Sequence, residues 1–294
     1  MAKKQIPVYD ICSLNRVGNQ DDHFLADRFA DYLHRHYDHL HFPHRHSFYH
    51  LVLFTKGGGS HTIDFNQFAV KPYQIYFMIP GQVHSWDFTG VTDGYIVNFS
   101  TDFFKSFLQN QHYLDQFDFF NGISEEGVRQ LPPARHKEAV NLFESILAVS
   151  SDEGRHRFDR IRLLLLQLFI QIDNVQRPSD SRPVAPQKQL LLKSFRRLID
   201  THYRTMRLPR EYADLLYVTP NHLNALVQDL LGKTAGELIR DRILLEAKRL
   251  LVNAEMTVTE VAYALNFEDN SYFNRFFKKY TGVTPEEFRK QSLH

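Results

Sequence analysis

The chain has one cysteine, Cys12, in 294 residues. No intramolecular disulfide is therefore possible, a paired-thiol redox sensor is excluded, and a reducing compartment fits. Long apolar runs are missing as well. The most apolar stretch, Ile161 to Ile172, is too short to span a bilayer and is interrupted by Arg162, Gln167 and Gln171. The start, Met-Ala-Lys-Lys-Gln-Ile-Pro, lacks the apolar segment of a secretory leader, so a soluble cytoplasmic protein without membrane partners is expected. A strong net charge is absent too, at +1 overall. With 43% hydrophobic and 23% charged residues the chain reads as globular rather than disordered, and it is long enough for two domains.

The most informative stretch that is present runs from Val258 to Lys290. Within it Phe273, Phe276, Phe277 and Tyr280 fall at i, i+3, i+4 and i+7, the spacing of a helix stripe that buries itself. Ser271, Asn274, Arg275 and Lys278 repeat that spacing on another face, with Asn270 and Lys279 beside them. Such a face suits a DNA major groove, where Arg can grip guanine, Asn can grip adenine and Lys neutralises phosphate. The plainer alternative is a solvated amphipathic helix, and on this helix alone it stays open. Context favours the first reading. Val258 to Leu265 reads as a short helix capped by Thr257 or Thr259, and Asn266 to Asp269 makes a tight connection into the aromatic helix. Gly282 is a helix C-cap, and Thr284, Pro285, Glu286 and Glu287 open a further helix. This is the grammar of a helix-turn-helix.

The arrangement occurs twice, the first copy lying about fifty residues earlier. Ala213 and Leu216 correspond to Ala262 and Leu265, and Leu223, Asn224, Leu226, Leu230, Gly232, Thr234 and Glu237 correspond to Phe273, Asn274, Phe276, Tyr280, Gly282, Thr284 and Glu287. In the first copy Leu223, Leu226, Val227 and Leu230 form the buried stripe. Asn221, His222, Asn224, Ala225 and Gln228 are left to face outward, without a Lys or Arg. That helix is expected to read by amide hydrogen bonds and shape, and the second to add phosphate attraction through Arg275, Lys278 and Lys279. Between the copies, Ala235 to Asn253 is one long helical pattern. A stiff connector there would let both reading helices enter successive major grooves about 34 Å apart.

The run Val261-Ala262, Leu265-Asn266-Phe267, Ser271-Tyr272-Phe273, Arg275, Phe277-Lys278-Lys279, Gly282, Thr284-Pro285 and Phe288-Arg289 resembles the C-terminal signature of the AraC type family of transcription regulators. The connector, with Arg242-Ile243 and Ala247-Lys248-Arg249-Leu250-Leu251, is similar to theirs. The resemblance covers residues 188 to 294. It departs from the family pattern at Asn266, where Gly is usual. Asn also tolerates the left-handed backbone a tight turn needs, so strain rather than loss of function is expected. The resemblance implies activation of transcription, contact with RNA polymerase and a homodimer.

The front half reads as all-β. Leu51 to Phe54, His61 to Phe65, Gln74 to Ile79, Val83 to Phe88 and Tyr95 to Phe99 are short β-branched and aromatic segments. They are punctuated by Gly57-Gly58-Gly59, Asp64-Phe65-Asn66, Pro80-Gly81 and Asp93-Gly94. A sandwich or small barrel follows. His44-Arg45-His46, the glycine run and Pro80-Gly81-Gln82-Val83-His84 look like the two cupin motifs of AraC type sensor domains, which implies a cavity for one small effector. By period two, His44, His46, Phe48 and His50 point the same way. If that way is inward, His44, His46, His50 and His84 could converge on an effector, or as nitrogen ligands on zinc, iron or another transition metal. Metal-binding cupins usually carry Glu at the position of His50. Sensor domains of the family commonly keep the fold without the metal, so no cofactor is expected and the effector is unnamed. His34, His36, His39 and His41 read as loop or surface residues.

Lys137 to Ala148 and Phe158 to Ile172 read as two helices. Ile161, Leu164, Leu165, Leu168, Phe169 and Ile172 lie along one side of the second, for burial on the barrel or, as the resemblance implies, in a dimer. Arg177 to Gln187 is a polar, proline-punctuated linker. Residues 188 to 294 hold 17 Lys and Arg against 13 Asp and Glu, leaving 18 against 21 before them, which fits a DNA-binding tail behind a sensing head. Arg196, Arg197, Arg204, Arg207 and Arg210 are further phosphate candidates, or else a solvated face.

The expectation is a multidomain α+β protein. A cupin-like barrel with a helical dimerisation segment occupies 1–176, a linker 177–187, and an all-α DNA-binding domain 188–294, with helix-turn-helix units near 205–232 and 257–282. Its function is ligand-responsive, sequence-specific binding of double-stranded DNA. The alternatives are a metal-sensing regulator using the sensor histidines and a metal cupin enzyme, the last of which leaves the repeated half unexplained.

Overall fold

The computed structural model describes residues 6–14, 22–110, 112–174, 185–252 and 256–292, with backbone alone at 38–40. Two compact units divide the chain, Pro7–Ser181 and Arg182–His294, with Met1–Ile6 counted in the second. Most of the expected linker, 177–184, lies outside the described residues.

The first unit opens with β1 (Val8–Tyr9), α1 (Ile11–Leu14), β2 (Phe24–Arg28) and α2 (Phe29–Leu40). The strands β3 (Arg45–His46), β4 (Tyr49–Lys56), β5 (Gly59–Ile63), β6 (Asn66–Ala69), β7 (Gln74–Met78), β8 (His84–Phe88) and β9 (Asp93–Phe99) follow. After two 3-10 turns come β10 (Val128–Gln130), α3 (Pro133–Ser150) and α4 (Arg157–Asp173). A five-stranded sheet has the order β10-β7-β4-β9-β2 and a three-stranded sheet the order β6-β5-β8. The turn between β5 and β6 places both Asp64 and Phe65 at positive φ, 47° and 74°, as a two-residue hairpin requires.

The larger sheet is covered on both faces, which is why Leu51 to Phe54 is an unbroken apolar run. Leu51, Leu53, Ile75, Phe77, Val97 and Phe99 face a core completed by Ile146 of α3 and by Ile161, Leu165, Leu168 and Phe169 of α4. Their alternates Val52, Phe54, Tyr76, Met78 and Ile96 face Ile63 and Trp86 of the smaller sheet and Phe29 and Tyr32 of α2. Two sheets thus enclose one interior, the cupin-like arrangement. Each fully buried Leu, Ile or Phe contributes about 1.5–3 kcal/mol, so α4 is held mainly by its own sheet. Leu163 and Ile170 of the same helix remain exposed.

Segment 29–40, whose histidines the sequence places in a loop or at the surface, is a helix bent at His36 and anchored by the buried pair Phe29 and Tyr32 at i and i+3. The histidines around that pair hide the periodicity. His34 is exposed on this helix, His36 and His41 are half-buried, and the side chain of His39 lies outside the described residues.

The second unit consists of α5 (Pro186–His202), α6 (Pro209–Leu215), α7 (Pro220–Leu231), α8 (Ala235–Leu251), α9 (Val258–Ala264), α10 (Asn270–Thr281) and α11 (Pro285–Ser292). Local chemistry sets the boundaries. Thr219, Thr234 and Thr257 each accept a hydrogen bond from the backbone N–H three residues on. Glu237 and Glu260 reach back to Thr234 and Thr257 to complete capping boxes. Gly232 and Gly282 end α7 and α10 in the left-handed region, with φ 67° and 84°. One core containing Phe195, Tyr212, Leu223, Ile239, Val261 and Phe273 runs through all of this, and α8 packs against α6, α7, α9 and α11. At 17 residues, α8 is a strut about 25 Å long.

Candidate functional site

Phe273 and Phe277 of α10 are wholly buried, and Phe276 is partly so. Tyr280, expected in the same stripe, is 40% exposed and lies instead beneath the guanidinium of Arg240, 4.3 Å from its ring centroid. The opposite face presents Ser271, Arg275, Lys278 and Lys279 to solvent. Asn270 and Asn274 are half-buried and joined: Asn274 Nδ2 donates to Asn270 O at 2.8 Å and to Asn270 Oδ1 at 3.0 Å. Asp269 accepts from Ser271 N and Tyr272 N and so fixes the helix start.

In α7 the residues Asn221, His222, Asn224, Ala225 and Gln228 are exposed, backed by buried Leu223, Leu226 and Val227. Asn224 has a structural task that sequence reading missed, since its Oδ1 accepts from Ala235 N at 3.1 Å and so caps α8. At the matching place after α10 stands Pro285, which has no N–H to offer, so Asn274 has no such duty. Two equivalent asparagines are thereby distinguished.

The further arginines divide as well. Arg197 and Arg210 are exposed and Arg196 is half-buried. Arg204 pairs with Glu246 at 3.8 Å and donates to Tyr203 Oη at 3.0 Å. Arg207 is engaged within the unit: it donates to Leu265 O at 2.7 Å and to Asn266 O at 3.1 Å. The turns that precede the two reading helices match, with Tyr217 at φ 55° and Asn266 at φ 57°.

In the first unit His44, His46, His50 and His84 come together and are buried. His44 and His84 exchange backbone hydrogen bonds, N to O, at 3.0 and 2.9 Å. Their ring centroids lie 4.2 Å apart, and the ring of His46 is 4.6 Å from those of both His50 and His84. A fifth histidine, His61, is buried beside them and stacks on Trp86 at 3.2 Å. The alternation of β5, in which His61 and Ile63 share a face, is the sequence signal that could have found it. Burial above all, and then neighbouring imidazoles, hold the pKa of His46, His61 and His84 well below the usual range and bring that of His50 down to about 3. These rings are neutral at physiological pH. His44, His46 and His84 offer ring nitrogens within 4.8 Å of one another, the spacing from which a metal ion could be held.

Two exposed helix faces on a shared helical core in one unit, and a sheet-enclosed interior lined with neutral histidines in the other, define a two-domain regulator that reads DNA. Comparison with known proteins agrees. Residues 212–291 match the helix-turn-helix domain family, and residues 31–169 match the AraC-like ligand binding domain family. The arabinose operon regulatory protein of Salmonella typhimurium is 27% identical over 82% of this chain and 83% of its own length. The HTH-type transcriptional activator RhaR of Escherichia coli K12 is 23% identical over 92% of this chain and 95% of its own. The uncharacterized HTH-type transcriptional regulator YijO of Escherichia coli K12 is 35% identical, and there the match spans 36% of this chain and 38% of that protein. The chain belongs to the AraC type family of transcription regulators. Among the described residues no helix is long and apolar enough to cross a membrane.

Proposed function

We propose that the chain is an effector-responsive activator of transcription that acts in the cytoplasm and reads two successive major grooves of double-stranded DNA. Ser271, Asn274, Arg275, Lys278 and Lys279 form the stronger reading face; Asn221, His222, Gln228 and the outer part of Asn224 form the weaker. The observation that carries the reading is the pair of exposed, hydrogen-bonding helix faces, each backed by wholly buried residues and joined by α8. Activation rather than repression is supported by the likeness to RhaR, a transcriptional activator by name. An effector held by the first unit would shift the chain toward its DNA-competent state only by binding that state better. Homodimerisation fits the exposed Leu163 and Ile170 of α4, one face of a helix otherwise buried. RNA polymerase is the further partner this reading requires. An enzymatic role leaves the tandem reading helices without a purpose.

The test is selection from a pool of random duplexes by the full-length chain, followed by sequencing. Enrichment of two contact blocks about one helical turn, 10–10.5 base pairs, apart is the expected result. Absence of any enriched motif would sink this reading.

A further inference from the structure

Four histidines meet inside the first unit. His44, His46, His50 and His84 are no more than 3% exposed, and neighbouring rings are in contact, which leaves little space between them for an organic molecule. The tautomers of His44, His84 and His50 are fixed from behind. His44 Nδ1 lies 2.8 Å from Phe42 O, and His84 Nδ1 lies 3.3 Å from Gln82 O. A backbone carbonyl can only accept, so each Nδ1 carries the hydrogen and each Nε2 carries a lone pair. His50 Nδ1 donates to Asn98 Oδ1 at 2.7 Å in the same manner. This backing of one ring nitrogen by an oxygen acceptor is the usual second support of a metal-binding histidine.

The inward nitrogens lack donors. His50 Nε2, His84 Nε2 and both ring nitrogens of His46 are buried without a hydrogen-bond partner among the described residues. Leaving a buried polar atom unsatisfied is costly. A cation that takes one nitrogen from each ring removes that cost at the nitrogens it binds. The potential ligands that come together here among the described residues are all histidine, a set that favours borderline transition metals over magnesium or calcium. Imidazole nitrogen binds zinc at about 2.0–2.1 Å, so ligands of one tetrahedral ion stand about 3.3 Å apart. Small ring rotations reach that from a spacing within 4.8 Å. A negative charge stands one residue behind: Gln82, whose carbonyl backs His84, donates through Nε2 to the buried carboxylate of Asp64 at 2.9 Å.

We propose that His44, His46 and His84, with His50 as the fourth ligand, bind one divalent transition-metal ion of the zinc class. The ion joins β4 of the larger sheet to β8 of the smaller, to β3 through His46 and to His44 just before it. It stands independently of DNA reading, because its ligands all lie in the first unit.

Full-length protein stripped with chelator, then freed of it, is titrated with Co2+ alone and with Zn2+ alone. About one equivalent of Co2+ should bind with the visible bands of four- or five-coordinate nitrogen ligation, and about one equivalent of Zn2+ should displace it. His46→Ala and His84→Ala should each weaken binding roughly 100-fold or more, and Asn98→Ala, which removes the support of His50, about 10–100-fold. His112→Ala, at the exposed pair with Asp115, should leave it unchanged. If the ligand variants fail to fold, X-ray absorption of the wild-type zinc complex decides instead. Three or four imidazoles around the ion support the site, and fewer overturn it. It is likewise overturned by the absence of saturable Co2+ and Zn2+ binding, or by binding retained in a folded His46→Ala/His84→Ala double variant.

Discussion

Arg207 and Phe267 tie the two helix-turn-helix units together: the guanidinium carbon lies 4.0 Å from the ring centroid while its nitrogens donate to the carbonyls of Leu265 and Asn266. Arg207 precedes the helices of the first helix-turn-helix, and the other three residues form the turn of the second helix-turn-helix. Charge-assisted hydrogen bonds are worth about 1.5–3 kcal/mol and a partly desolvated cation–π contact about 1 kcal/mol. With the side chain half-exposed, Arg207→Ala should cost about 2 kcal/mol. Arg207→Lys should recover only part, because an ammonium cannot stack flat and donate to two carbonyls at once. Denaturant unfolding measures both, and a loss below about 0.5 kcal/mol would remove the tie.

The matched turns store backbone strain. Tyr217 is 96% exposed yet sits at φ 55°, where an L-residue costs about 1–2 kcal/mol. Tyr217→Gly should therefore stabilise by about 0.5–1 kcal/mol after glycine's entropic penalty, and Asn266→Gly by less, since Asn tolerates that region. The reverse changes Gly232→Ala and Gly282→Ala meet no atom within 4 Å, so any loss, expected near 1 kcal/mol, is conformational alone. Thermal or denaturant unfolding of the four variants gives the signs.

On DNA, Arg275→Ala should weaken binding by about 1–3 kcal/mol and relax preference at one base pair. Lys279→Ala should weaken all sequences alike and reduce the salt slope by about one. Titration of the selected operator and of scrambled duplex at several salt concentrations separates the two. An unchanged slope would take Lys279 off the phosphates.

Asn224 and Asn274, equivalent in the repeat, should part company. Asn224→Ala removes the acceptor for Ala235 N and should lower stability by about 1 kcal/mol. Asn274→Ala lies where Pro285 needs no cap, so its larger effect should fall on base preference. Unfolding measurements and repeat selection on each variant decide, and equal stability losses would contradict the distinction.

For the dimer, Leu163→Glu and Ile170→Glu place charge on the exposed side of α4 without touching its buried residues. Sedimentation should show a shift toward monomer with the unfolding midpoint little changed. A wild-type chain that sediments as a monomer at operating concentration would end the dimer reading.

The helical half was the more legible in sequence because its information is local. Thr219, Thr234, Thr257, Gly232 and Gly282 announce helix ends within three or four residues of where they act. Arg207 escaped because its partners are 58 and 59 residues away. In the sheet half, Leu51 to Phe54 and Gln74 to Met78 stood out by composition. β2 and α2 did not, since histidines and charges break up the pattern of Phe24, Leu25, Phe29 and Tyr32. The shared direction of His44, His46 and His50 followed from period two, but that it is inward did not. The meeting of His44 with His84 is a backbone bridge across forty residues of chain, for which sequence offers only a motif.

The strand order β10-β7-β4-β9-β2 pairs Phe24 with Phe99 and Val128 with Tyr76, so the first unit must close long loops before those contacts count. Sheets of this kind form slowly, whereas helices built on neighbouring turns form fast. The slow half leaves the ribosome first, and synthesis at about 5–20 residues per second gives it roughly 5–20 s before the last reading helix emerges. A newborn chain can thus complete its sensor before it is able to hold an operator.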